Sequence, residues 1–270
     1  MKRILRTLSF CFLLNALAAA CFAQNKDQPL RLRSPGGEVE IRFSLNAAGA
    51  PTYAVDYKGR ALVAPSTLGL GLKQGGALSG GMKITAAHNR SHDSSYELVV
   101  GKTRRARDRY RELTVALEES AGSKRRLQLV FRAYDDGVAF RYFLPTQEAL
   151  TEFEITGEMS EFRFPSDHAC WAMQLRTFHS NYEKEFDKIT LSRIKPGAKV
   201  GLPLVVQTAG GITLAIAEAN LKDYAGMYLH GLEGAPHSLV SRLSPFGGRE
   251  EGSAVSARAP HASPWRVVMI

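Results

Sequence analysis

Val39, Ile41, Phe43 and Leu45 fall on one side of an extended chain, and Glu38, Glu40, Arg42 and Ser44 fall on the other. This period-two alternation predicts a strand with one face in a core. A turn at Ala48-Gly49-Ala50-Pro51 leads to Tyr53, Val55 and Tyr57, and Lys58-Gly59-Arg60 turns again into residues 61–63, the spacing of meander hairpins. Leu127, Leu129 and Phe131 alternate with Gln128 and Arg132 before Asp135-Asp136-Gly137 returns the chain through Val138, Phe140 and Tyr142. An Asp-Gly pair between alternating runs is a strong hairpin signal. Further strand-like runs cover 161–164, 201–208, 211–219, 239–243 and 265–270, and helical periodicity is weak throughout. Many short strands and no helical stripe predict an all-β, antiparallel, two-sheet sandwich forming one domain. The polar stretch 174–199 reads as a long connection or short helix over one end of the sandwich.

One strand carries chemistry. Residues 211–219 read as buried on both faces, yet Glu218 points to the same side as Leu214 and Ile216. An unpaired buried carboxylate costs several kcal/mol or more, on the order given for buried charge. Glu218 must therefore sit at a rim, pair with a base or ligate a cation.

At the amino terminus, Lys2, Arg3 and Arg6 precede an apolar stretch over 8–20 and small residues ending at Ala23, the pattern of a secretory signal peptide over 1–23. Cys21 after Ala18-Ala19-Ala20 raises a lipoprotein alternative, although such signals carry a larger aliphatic residue three places before the cysteine. Export predicts a periplasmic or secreted protein, and no later run reaches the about 20 apolar residues of a membrane span. Removing the signal leaves only Cys170, so no internal disulfide is expected and burial alone must hold the fold.

The formal net charge is +9. Lys102, Arg104, Arg105, Arg107, Arg109 and Arg111 concentrate the excess, with Lys124, Arg125 and Arg126 nearby. Such a run suits nucleic acid or an acidic polysaccharide. Its period-two spacing, continued by Leu113, Val115 and Leu117, instead describes a solvated strand face, and no interleaved aromatics support base stacking. Export also removes most nucleic-acid partners, so no nucleic acid is expected. There is also no phosphate-binding glycine loop and no metal-spaced Cys or His cluster.

Five segments in order, Ser34 to Leu72, Leu127 to Pro145, "FRFPSDHACWAM" from Phe162, "LAIAEANLKDYAGMYL" from Leu214 and "PWRVVMI" from Pro264, resemble the amino-terminal domain of family-97 glycoside hydrolases. The resemblance runs through nearly all of residues 24–270. It implies a β-super-sandwich of the galactose-mutarotase-like kind, followed in such enzymes by a catalytic (β/α)8 barrel and a small β domain. It implies action on α-glucosides or α-galactosides. It also implies a calcium ion held by several glutamates, one from the amino-terminal domain, and the matching position is Glu218. Family members often carry a histidine just before that glutamate, where this chain has Ala217. Catalytic residues would lie in the barrel, so none is assigned here and the chain alone is expected to be inactive.

Trp171 and Tyr182 are candidate sugar platforms, since aromatic faces pack on pyranose rings, with core packing as the alternative for Trp171. Asn220 and Asp223, in the loop after the Glu218 strand, are candidate sugar contacts, with Asn220 also able to offer the cation an oxygen and a solvated loop acid as the alternative for Asp223. His168 and His179 could serve a mutarotase-like acid/base reaction, although nothing in their spacing requires it. Cys170 reads as a buried inert thiol. The last residues, Trp265 to Ile270, form an apolar run with no turn signal, so either a final strand closes a sheet or the natural protein continues into a barrel. The rival to a hydrolase module is a free-standing carbohydrate-binding or mutarotase-like epimerase domain.

Overall fold

A computed structural model describes residues 28–248 and 252–270, so the signal-peptide expectation and Cys11 and Cys21 lie outside the described residues. The strands in chain order are β1 (Leu30–Arg33), β2 (Val39–Leu45), β3 (Pro51–Tyr57), β4 (Arg60–Thr67), β5 (Leu70–Leu72), β6 (Met82–Glu97) and β7 (Arg105–Glu119). Then come β8 (Arg126–Tyr134), β9 (Gly137–Leu144), β10 (Glu152–Glu158), β11 (Glu161–Arg163), β12 (Ala169–Leu175), β13 (Asp187–Thr190) and β14 (Lys199–Gln207). The last six are β15 (Thr213–Ala219), β16 (Met227–Leu232), β17 (Ala235–Leu243), β18 (Val255–Arg258), β19 (His261–Ala262) and β20 (Trp265–Met269).

Antiparallel ladders assemble these into two layers. The larger runs β6-β7-β8-β9-β20-β15-β14-β12-β13. The second runs β1-β2-β3-β4-β11-β17-β16 and touches the first through the Val200–Leu229 bridge. The layers pack face to face through aromatic rings: Phe43 lies 5.5 Å from Phe131, Tyr53 5.0 Å from Phe140, and Phe140 6.1 Å from Phe162. Rings at these separations gain more than their buried area alone. A small sheet, β5-β10-β18, closes one side.

The expected hairpins form, but the Asp-Gly pair does not itself make the β8–β9 turn: Gly137 already pairs within β9 and its φ is not positive. Lys58 and Gly59 both take positive φ (51° and 73°), the conformation a two-residue turn between β3 and β4 requires. Asp135-Asp136 turns β8 into β9, with Tyr134 opposite Gly137. Gly137 must lack a side chain, because a Cβ there would stand 2.6 Å from the Val268 carbonyl oxygen of β20. Stretch 174–199 is only partly the connection expected. Residues 187–190 form β13, paired to β12, and a 3-10 turn follows at Leu191–Arg193. No helix among the described residues is long and apolar enough to cross a membrane.

Candidate functional site

Glu218 occupies the second-to-last position of β15, on the inner face with buried Leu214 and Ile216. Directly opposite, on β20, stands Arg266. Arg266 is fully buried, and its Nη1 donates to Glu218 Oε2 at 2.7 Å. Its Nε and Nη2 donate to the two oxygens of Glu158 at 2.7 and 2.6 Å, a bidentate fork. Of the three solutions open to Glu218, the fold uses a base. Its carboxylate keeps 17% exposure, whereas Glu158 has none, so Glu218 is the outlet of the triad toward solvent.

The small sheet delivers Glu158, the last residue of β10, into this interior. Its oxygens are further satisfied by Ser160 Oγ at 2.7 Å and Tyr224 Oη at 3.2 Å. Ser160 in turn meets the Tyr142 hydroxyl at 2.9 Å, which also accepts the Gly69 N–H at 3.1 Å. Every side-chain polar atom of this hydrogen-bonded network thus has a partner, as burial demands. Burial works against the Arg266 charge, but Glu158 outweighs it and holds the guanidinium above its ordinary range. Burial raises the Glu218 carboxyl above its usual value, opposed by Arg266 and by the Met227 N–H. Two carboxylates thus face one guanidinium, and Glu218 is the one that solvent reaches.

The loop between β15 and β16 wraps this rim. Asn220 and Asp223 both adopt positive φ (59° and 51°) and lie exposed. The chain then returns so that the Met227 N–H reaches both Glu218 oxygens, at 3.3 and 3.2 Å. Behind Asp223, the His261 ring stacks on Tyr224 with centroids 6.0 Å apart. Burial lowers the His261 imidazole pKa, while Asp223 opposes that shift.

Tyr182 reaches the same rim from the 174–199 stretch. It is 40% exposed, its ring centroid lies 6.1 Å from that of Tyr228, and it packs over Gly201, where a Cβ would come within 2.9 Å. Burial first, then the Tyr228 hydroxyl and the Glu218 charge, raise its phenol. Trp171 is not brought to this place. It pairs with Val205, which pairs with Ala215, and Ala215 alternates with Leu214 and Ile216. Trp171 therefore lies on the opposite, outer face, half-buried, with the Lys188 ammonium 5.0 Å above its ring. This placement answers the core alternative too: Cys170, its neighbour, is the buried one, its thiol pushed up to about 12 by burial and then by Asp167.

His168 is buried with Nε2 unpartnered, while His179 is exposed in the loop and its carbonyl accepts from Thr177. No contact between the two histidines joins them into an acid/base pair among the described residues. Sequence reasoning missed Arg266, Glu158 and Tyr224. Arg266 had a legible signal, a lone cation inside an apolar strand.

The fold and rim define an all-β sandwich domain with a buried carboxylate–guanidinium–carboxylate chain opening at one edge. The sequence profile described as "Glycosyl-hydrolase 97 N-terminal" matches residues 32–270, and the chain belongs to that family. It is 25% identical over 263 residues to a retaining alpha-galactosidase of Bacteroides thetaiotaomicron, covering 88% of this chain and 38% of that protein. It is 28% identical over 279 residues to a probable retaining alpha-galactosidase of Streptomyces bingchenggensis, covering 100% and 41%. The chain thus spans about two fifths of the length of these relatives. Among solved structures, a family-97 enzyme from Pseudoalteromonas sp. strain K8 in complex with acarbose superposes with a TM-score of 0.82 at 27% identity, over 89% of this chain and 35% of that one. A beta-arabinopyranosidase shares the fold at TM-score 0.79 and 21% identity, over 89% of this chain and 40% of that one.

Proposed function

We propose that this chain is the carbohydrate-associated amino-terminal module of a secreted glycoside hydrolase acting on α-glucosides or α-galactosides. In this reading it packs against a (β/α)8 catalytic barrel, walls one side of the oligosaccharide pocket and lends Glu218 to a calcium site. One observation carries it: Glu218 is the solvent-facing end of the Glu158–Arg266–Glu218 triad, with 17% of its side chain exposed while the other two have none. Calcium takes six to eight oxygens. No group of three or more acidic, His or Cys side chains gathers among the described residues. Glu158 is also already engaged by Arg266, Ser160 and Tyr224. The residues present fit one ligand of such a site, with Glu218 Oε1 turned away from the guanidinium, and the remaining ligands would come from the barrel. Bound there, the ion would supply a fixed positive charge beside the sugar. Tyr182, Asn220 and Asp223 stand around the same rim as sugar contacts, while Trp171 on the outer face takes no part.

Calcium titrated calorimetrically into this chain should bind weaker than about millimolar, and nitrophenyl α-glucoside and α-galactoside should not be turned over. Substituting this domain for its counterpart in the Bacteroides relative should restore calcium-dependent hydrolysis that Glu218→Gln weakens. Hydrolysis by the chain alone, abolished by Glu218→Ala, would overturn the reading.

A further inference from the structure

β6 and β7 continue together beyond the end of the sandwich. β8 pairs with β7 only from Arg111 to Glu118, so the pairs His92–Tyr110 through Glu97–Arg105 form a two-stranded ribbon with no third strand among the described residues. At about 3.4 Å per residue the ribbon projects about 17 Å. Such a ribbon is marginal by itself. It is braced at its base by His92 stacked on Tyr110 at 4.9 Å and by Tyr110 against Tyr134 at 5.2 Å.

The arm has two distinct parts. Along one face stand Arg105, Arg107, Arg109 and Arg111, on the register that becomes Leu113, Val115 and Leu117 inside the core. Arg107 is spent on Asp93 through two bonds, at 2.8 and 2.6 Å, and Arg104 lies 3.8 Å from Glu97. Lys102, Arg105 and Arg111 have no acidic partner among the described residues. At the apex the Leu98 N–H closes onto the Arg104 carbonyl, and Gly101 (φ 114°) makes the turn. There Val99 is 100% exposed and Val100 82%. Turn apices ordinarily carry Gly, Asn, Asp or Ser, and two adjacent valines held out on a stalk ask for an apolar environment.

We propose that this arm is a peripheral contact for an anionic lipid surface, Val99 and Val100 entering at headgroup depth and Lys102, Arg104 and Arg105 lying among the phosphates. A shallow apolar layer behind a plane of negative charge is what an acidic bilayer offers. A second copy of the arm would bring like charges together, and a polysaccharide would meet the arginines but leave the valines in water.

The test uses the full chain with Val100→Trp, the tip emission being read as the difference from the parent chain, whose Trp171 and Trp265 also fluoresce; this separates the arm from any contribution of the apolar amino-terminal stretch. With vesicles of phosphatidylcholine and phosphatidylglycerol, tip emission should shift to the blue, be quenched by brominated acyl chains, and weaken as salt is raised. In the probe's absence, Val99→Asp with Val100→Asp, at exposed positions, should lower the anionic-vesicle partition over that of phosphatidylcholine by about tenfold. Unshifted emission with these vesicles overturns the proposal, as does equal quenching in phosphatidylcholine alone. A shift that grows with protein concentration without lipid assigns the tip to a second copy. Heparin retention that depends on Arg105 and Arg111, with no lipid response at the tip, assigns the arm to polysaccharide; either result also overturns it.

Discussion

Arg266 faces Glu218 across the β15–β20 ladder and, with no exposed surface, bonds it through one nitrogen while two others hold Glu158. Removing one member of a buried ion cluster leaves an uncompensated charge, at a cost of about 3–5 kcal/mol. Arg266→Met should therefore lower the thermal midpoint by about 10 °C, taking about 2–4 °C per kcal/mol for a domain of this size. Adding Glu158→Met should recover most of the loss, since an apolar replacement of the pair is often neutral. Calorimetric melts of the single and double variants check this. Equal melting of both would show that Glu158 is not the group left stranded.

Glu218 differs from Glu158 because solvent reaches it. Its carboxyl pKa is raised, by burial first and against the pull of Arg266. A raised folded pKa means that the folded state binds the proton more readily than the unfolded chain. The group's contribution to stability is then fully present below the ordinary value of 4.5 and is lost as pH rises through the folded pKa. Glu218→Gln should flatten that part of the profile, so the variant gains on the parent as pH rises from about 4.5 toward neutrality. Urea midpoints across that range read it directly. A bound dication would reverse the sign by favouring the ionised carboxyl.

How much of this was legible depends on which faces are buried. β2, β3, β8 and β9 were readable because each alternates over a core face. β6 was not: most of its 16 residues are exposed, because its second half lies in the arm with no core to face and its first half is an edge strand paired, among the described residues, only with β7. β13 was hidden in a polar stretch for a similar reason, with its residues exposed or half-buried. The need of Glu218 for a partner was visible in β15 alone, but its partner's identity required the β15–β20 register, 48 residues away in sequence. Glu158 was less visible still, since it ends a strand of the small sheet and gains its role only where that sheet meets β20. The fold brings Tyr182 and the loop carrying Asn220 and Asp223 to the Glu218 rim, a juxtaposition no local pattern carries. Trp171 does not, because strand parity turns it to the outer face.

Gly231 in β16 supports the 3-10 turn beside it. A Cβ at this position would fall 2.0 Å from the Ile194 carbonyl oxygen, and its N–H donates to the Lys195 carbonyl at 3.1 Å. Gly231→Ala must push the backbone of 194–195 away from β16 and displace the buried Ile194 side chain, and overpacking of this kind costs about 1–3 kcal/mol or more. We expect a clear drop in thermal midpoint. Gly234→Asn is the matched control, at φ 72° with nothing within 4 Å of a Cβ. Asparagine tolerates that conformation, and its melt should stay near the parent.

Three histidines set the acid limit of the fold before its carboxylates do. His168, His230 and His261 all have lowered pKa values, with burial the first cause in each. His168 Nε2 and His261 Nε2 are buried without a hydrogen-bond partner, and the nearby Asp167 and Asp223 offset burial only in part. A lowered folded pKa means that the unfolded chain takes up the proton first. The stability is present above the ordinary value of 6.5 and is lost as pH falls below it toward the folded values. Paired carboxylates such as Glu119 and Asp93, held below 4.5 and 3.8 mainly by Arg125 and Arg107, lose their contribution only at lower pH. The urea midpoint should thus fall in two stages on acidification. His168→Leu, which removes both the titration and the unpartnered nitrogen, should shrink the first stage and leave the second in place. A single transition below pH about 4.5, unchanged by that substitution, would show that these histidines are protonated in the folded domain without cost.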